Sequence, residues 1–190
     1  MTVACGIGTE SALIAMGAGP HQATPVAKAQ LADGVAWVST AGPSAGLPKD
    51  TVVLVEDNGW QGVRPEVLSR LSKPSKAASV SWNVNGLLMF SCARRGEIVS
   101  TVDLWDPDAA GELPAALRHL WERGPDTDEP LAAAMTLVEK YTGVAVPPAP
   151  EVIQPTIAFP ITSPVLGHPV TRDELLALKY PGAAEGPRRG

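Results

Sequence analysis

The stretch Ala78–Leu104, ASVSWNVNGLLMFSCARRGEIVSTVDL, decides the fold of this chain. It holds two turn signals, Asn85-Gly86 and Arg95-Gly96, each set between runs in which apolar and polar residues alternate. Asn-Gly readily takes the positive φ angles of a two-residue hairpin turn, and Arg-Gly is a weaker form of the same signal. The stretch therefore predicts a three-stranded antiparallel meander. With two-residue turns at both places, the pleat puts Val80, Trp82, Val84, Leu87, Met89, Ala93, Ile98, Val102 and Leu104 on one side, the expected core face. Ser79, Ser81, Asn83, Leu88, Phe90, Cys92, Val99, Thr101 and Asp103 fall on the other, with Asn83 and Asp103 flanking Leu88. That second face is apolar along its middle strand and polar on both sides. It reads as the seat of a helix or loop over Phe90, or as a small-ligand or peptide face.

Upstream, Thr2–Ile7 reads as a first strand, and Thr9 caps a short helix carrying Leu13, Ile14 and Met16 and stopped by Gly17 and Gly19. Thr24, Pro25 and Gly34 bracket a second helix, Val35–Ser39 is a short strand, and residues 40–50 form a loop. Thr51–Val55 lacks alternation, as expected of a strand buried on both faces. Pro65 opens a helix whose apolar face is Val67, Leu68 and Leu71. Downstream, Leu113, Leu117, Leu120 and Trp121 repeat at helical spacing, as do Leu131, Met135 and Val138 behind a cap at Asp128. From Pro147 the prolines at 147, 148, 150, 155, 160, 164 and 169 predict an extended tail. Thr171 and Glu174 make a capping box for one short amphipathic helix near residues 172–179. The expected architecture is one α+β domain over residues 1–146, an antiparallel sheet with helices mainly on one face, followed by a proline-rich tail over 147–190.

The chain has 190 residues and a formal charge of −5 from scattered acids, so nucleic acid is not an expected partner. Its start lacks the basic segment of a signal peptide, and no uncharged apolar run reaches the roughly 20 residues of a membrane span. A cytoplasmic protein without membrane contact is expected. Cys5 and Cys92 lie in strand-like stretches without metal-ligand spacing, and read as buried free thiols. His21, His119 and His168 are scattered, and no phosphate loop, nucleophile elbow or Cys-His pair is present, so no metal or cofactor is expected.

Chemistry concentrates at Thr51–Gly62, TVVLVEDNGWQG, where a buried strand runs into Glu56, Asp57, Asn58, Gly59 and Trp60. A carboxylate at the end of a buried strand can have its pKa moved. Asp-Asn-Gly is equally turn chemistry, and Trp60 then anchors the returning chain. Adjacent acids on an extended chain point to opposite sides and cannot form a dyad. The stretch is therefore a corner first and a binding rim second. The candidate rim is Glu56, Asp57, Asn58 and Trp60, joined by Asn83 and Asp103 from the meander. The expected function is a non-catalytic interaction or ligand-binding module for a protein or small-molecule partner. The alternative is an enzyme with Glu56 or Asp57 as general base and Asn58 or Asn83 as amide donor.

The segments VEDNGWQG (Val55–Gly62), RPEVLSRLS (Arg64–Ser72) and SWNVNG (Ser81–Gly86), in this order and spacing, resemble an uncharacterised actinobacterial family known only as a domain of unknown function. The resemblance runs from Val3 to Val146 and is strongest between Val52 and Ala93. It implies one domain of this architecture and brings no activity, cofactor or catalytic residue. Members usually have a short lead-in before the first strand, and often a basic residue where this chain has Met89. The tail after Pro150 lies outside it.

Overall fold

The structure, a computed structural model, describes residues 1–25, 37–41, 47–56, 61–83, 87–122, 129–146 and 157–161. Its strands are β1 (Thr2–Cys5), β2 (Thr24–Pro25), β3 (Trp37–Ala41), β4 (Thr51–Glu56), β5 (Lys76–Trp82), β6 (Leu88–Arg94), β7 (Glu97–Asp103) and β8 (Ile157–Pro160). They form one antiparallel eight-stranded sheet in the order β2-β8-β3-β4-β1-β5-β6-β7. The helices are α1 (Thr9–Ala15), α2 (Pro65–Ser72), α3 (Ala109–Glu112) and α4 (Pro130–Thr142), with 3-10 turns at Gln61–Val63 and Arg118–Leu120. This is the α+β class expected. No helix among the described residues is long and apolar enough to cross a membrane.

Local chemistry explains most of the elements. Pro65 opens α2 at a position where a missing N–H costs nothing, after Arg64 in extended conformation. α4 starts at Pro130 and stops at Gly143, whose φ of 70° closes the helix. Between them, the spacing of Leu113 to Trp121 predicts one helix, yet α3 ends at Glu112. Leu113 is extended, with ψ at 151°, because Pro114 follows and a residue before proline is driven out of the helical region. Thr24 and Pro25 pair with Ala158 and Ile157 as β2 instead of opening a helix, and the rest of that expected helix lies outside the described residues.

Both faces of the sheet are covered. On one, Val3, Val53, Val80, Leu88, Phe90, Val102 and Leu104 pack with Leu137 and Val138 of α4 and with Leu113, Leu117 and Trp121. On the other, Ala4, Val52, Leu54, Ala77 and Ala93 pack with Leu13 of α1, Val67, Leu68 and Leu71 of α2, and Phe159 and Ile161. Helices thus stand on both faces rather than mainly on one. The physical reason is visible in β4, where Thr51 to Leu54 are all buried and leave two apolar surfaces to cover.

The meander forms, but its first register is shifted by one residue from expectation. A two-residue turn at Asn85-Gly86 would pair Ser81 with Phe90. Instead Val80 pairs with Phe90 and Trp82 with Leu88, and the turn is closed by Asn83 N–H donating to Leu87 O at 3.1 Å. A bulge between Cys92 and Ala93 then brings Val102 opposite Phe90. The two shifts place Leu88 and Phe90 on the same face as Val80, Val102 and Leu104, all essentially inaccessible. Trp82, expected in the core, is 50% exposed, Met89 is half-buried, and Ser81, expected outside, is buried. Burying Leu88 and Phe90 is worth about 1.5–3 kcal/mol each, and it overrides the local preference of the turn. The second turn keeps the expected two residues, with Arg95 at φ 53° and Gly96 at φ 88°.

The sheet also extends beyond the boundary expected at residue 146. In β8, Ala158 and Phe159 pair with Ser39 and Val38, and Ile161, fully buried, bridges to Ala18. The helix expected near 172–179 lies outside the described residues.

Candidate functional site

Glu56 ends β4 with its carboxylate turned onto the next turn of chain. Oε1 accepts the Gln61 N–H at 2.7 Å and Oε2 the Gly62 N–H at 2.9 Å, so one side chain satisfies two amides at the start of the 3-10 turn. Burial raises the Glu56 carboxyl above its ordinary range, while the Met1 ammonium and the Gly62 and Gln61 amides pull it back down. Gly62 sits directly on the sheet. A Cβ there would overlap Thr2 Oγ1 and stand 2.9 Å from Ser79 Oγ. Glycine is thus required by close approach, because the turn rests on two hydroxyls that bond each other at 2.8 Å.

Around this contact lies a buried polar layer that sequence reasoning missed. Gln61 is fully buried, and its Oε1 accepts Arg64 Nη1–H at 3.0 Å. Arg64 is itself buried and pairs with Glu66. Gln61 Nε2 and Ser91 Oγ are buried without a hydrogen-bond partner among the described residues. The signal was present in the serines of ASVSW and in Ser91. Alternation puts Ser79 and Ser81 on the face expected to seat a helix or loop over Phe90 and leaves Ser91 unassigned, whereas the 3-10 turn covers the part of the sheet that carries these serines.

Asn83 and Asp103 sit at the same end of the sheet as Glu56. Asn83 Oδ1 accepts the Leu87 N–H at 3.2 Å, and Asp103 Oδ1 accepts the Trp105 N–H at 3.1 Å. Asp103 pairs with Met89, so the two residues flank Met89 and Leu87 rather than Leu88. By register, Glu56, Ser81, Met89 and Asp103 share one row on one face. Four strand spacings separate β4 from β7, which sets Glu56 and Asp103 roughly 19 Å apart. These carboxylates cannot act on one atom. Asp57, Asn58 and Trp60 lie outside the described residues.

Among the described residues no group of three or more His, Cys, Asp or Glu side chains could hold a metal ion. Both cysteines are free, and burial pushes the Cys92 thiol up to about 12, which removes it as a nucleophile near neutrality. What stands out on the surface is apolar. Trp82, Trp105, Ile98 and Val99 are exposed on or beside the meander.

A family model described as a family of unknown function matches residues 21–154. The chain belongs to DUF6461. The match includes the corner after β4, α2 and the whole meander, and leaves out β1, α1 and β8. Neither the curated proteins nor the solved structures give a significant match.

Proposed function

We propose that this DUF6461 chain is a cytoplasmic, non-catalytic interaction module. The supporting observation is the use made of its polar candidates: Glu56, Asn83 and Asp103 each aim a side-chain oxygen at a backbone N–H that turns the chain. Beside them Trp82 and Trp105 stand 50% and 40% exposed, and exposed tryptophans are the residue type most enriched where binding energy concentrates. A second reading, an enzyme with Glu56 as general base and an asparagine amide donor, draws on the raised Glu56 carboxyl.

Cross-linking of the full chain in an extract of its source cells tests the choice. We expect a stoichiometric partner that Glu56→Gln retains and the double variant Trp82→Ser, Trp105→Ser loses while keeping its circular dichroism. A partner indifferent to both tryptophans, or turnover of a metabolite abolished by Glu56→Gln, overturns the module reading.

A further inference from the structure

β7 ends the sheet, and among the described residues no strand pairs beyond it. Its ladder to β6 fixes which backbone groups remain available. Leu104 N–H donates to Leu88 O at 2.7 Å, and bonded and non-bonded pairs alternate along an antiparallel ladder. Phe90–Val102 and Cys92–Ser100 are therefore bonded pairs, and Ser91–Thr101 and Met89–Asp103 are not. The N–H and C=O of Thr101 and the N–H of Asp103 thus point away from β6, while Asp103 C=O turns back to accept the Asp106 N–H at 3.0 Å. Thr101 is exposed, as are Ile98 and Val99, and β7 carries no lysine or proline of the kind that blunts an edge. The bulge at Val99 leaves Ser100–Asp103 as the regular part of the edge, long enough for a short added strand.

Charge identifies the occupant. From Gly96 to Leu117 the sequence has no Lys, Arg or His, while Glu97, Asp103, Asp106, Asp108 and Glu112 are acidic. A second copy paired antiparallel about Thr101, whose outward groups would then bond their own counterparts, would set Asp103 opposite Val99 and Trp105 opposite Glu97, so neither would meet a cation. A cationic strand meets carboxylates instead, and at the end of β7 it meets the exposed indole of Trp105, which attracts cations.

We propose that the β7 edge accepts an extended, basic segment of a partner protein as an added strand, bonded to Thr101 and Asp103, with its Arg or Lys side chains against Asp103, Trp105, Asp106 and Asp108. This rests on the interaction-module reading and names its partner's chemistry.

Fluorescence anisotropy of the full chain with a labelled peptide of alternating valine and threonine, headed by two arginines, tests it. Saturable binding is expected, weakened about tenfold or more by Thr101→Pro, which removes an outward N–H without touching the β6 ladder, and by Asp108→Lys. Asp108 makes no side-chain cap bond, so its variant guards against misfolding of the first. Equal affinity for the same peptide headed by two glutamates, or binding unchanged in both variants, overturns the proposal. So does a dimer in sedimentation equilibrium that Thr101→Pro dissolves, which assigns the edge to a second copy. A gain in peptide affinity on Arg188→Glu with Arg189→Glu assigns it instead to the chain's own end. If the cross-linked partner is lost with the two tryptophans yet kept by Thr101→Pro and Asp108→Lys, the module reading stands and the edge proposal falls.

Discussion

Replacing Phe90 with alanine, beside the matching change at Trp82, measures the register of the meander. Phe90 has no exposed surface and lies between Val80 and Val102 in the row across β5, β6 and β7. Removing a ring so enclosed forfeits its transfer energy and leaves a cavity, a loss of about 3–5 kcal/mol. Trp82 keeps half its surface in water at the end of β5, and its removal opens no closed void. Full burial of a large side chain is worth about 1.5–3 kcal/mol, so half of it sets the expected cost near 1 kcal/mol. For a chain of this size each kcal/mol moves the midpoint by about 2–4 °C. Phe90→Ala should therefore lower it by roughly 6–20 °C and Trp82→Ala by about 2–4 °C. Guanidinium denaturation with an unchanged slope should rank the two in the same order. A two-residue turn at Asn85-Gly86 reverses the ranking, so a larger loss for Trp82→Ala, or equal losses, refutes the register.

Ile161→Ala should cost about 2–5 kcal/mol in a thermal melt, because the side chain is fully buried in the core beside α1 and α2; an unmoved midpoint would return this segment to a dispensable tail. Gly62→Ala should cost roughly 1–3 kcal/mol by calorimetry, since the new methyl must displace Thr2 and Ser79; a neutral result would show that the turn does not rest on the sheet. For Glu56, burial raises the folded pKa above its ordinary 4.5, so the folded chain holds that proton more tightly than the unfolded one. Its contribution to stability is full below 4.5 and is lost as pH rises through the folded pKa. The midpoint of the natural chain minus that of Glu56→Gln should accordingly fall with rising pH, and a difference that grows with pH contradicts the sign.

What could be read from the sequence was what neighbouring residues decide. Pro65 and Pro130 at helix starts, Gly143 at a helix end, the Arg95-Gly96 turn and the doubly buried β4 are all settled within a few positions of chain. The first hairpin register is not. It depends on whether Leu88 and Phe90 share a covered face with Val80, and that face is supplied by α4, some forty residues further on. β8 escaped for a similar reason: prolines argue against a strand, and the pairing that overrides them comes from β3. At the candidate site, Glu56 was legible as the acid of a corner. Its role as a clamp on two amides requires knowing where Gln61 and Gly62 return. The cover over the serines was not legible because it is the turn Gln61–Val63, in which Gly62, having no Cβ, can sit directly on the hydroxyls.

The placement of β8 also sets an order of assembly. β5, β6 and β7 pair through connections of a few residues and can close as soon as they leave the ribosome. β1, made first, waits for β4 and β5 on its two sides. The partners of β8 wait longest, since Val38 meets Phe159, a separation of 159 − 38 = 121 residues, and Thr24 meets Ala158, a separation of 158 − 24 = 134 residues. Throughout that interval a strand bearing Trp37 and Val38 offers an unpaired ladder to any other nascent chain. The hazard during synthesis is therefore timed rather than constant: it lasts until residues 157–161 are themselves clear of the ribosome.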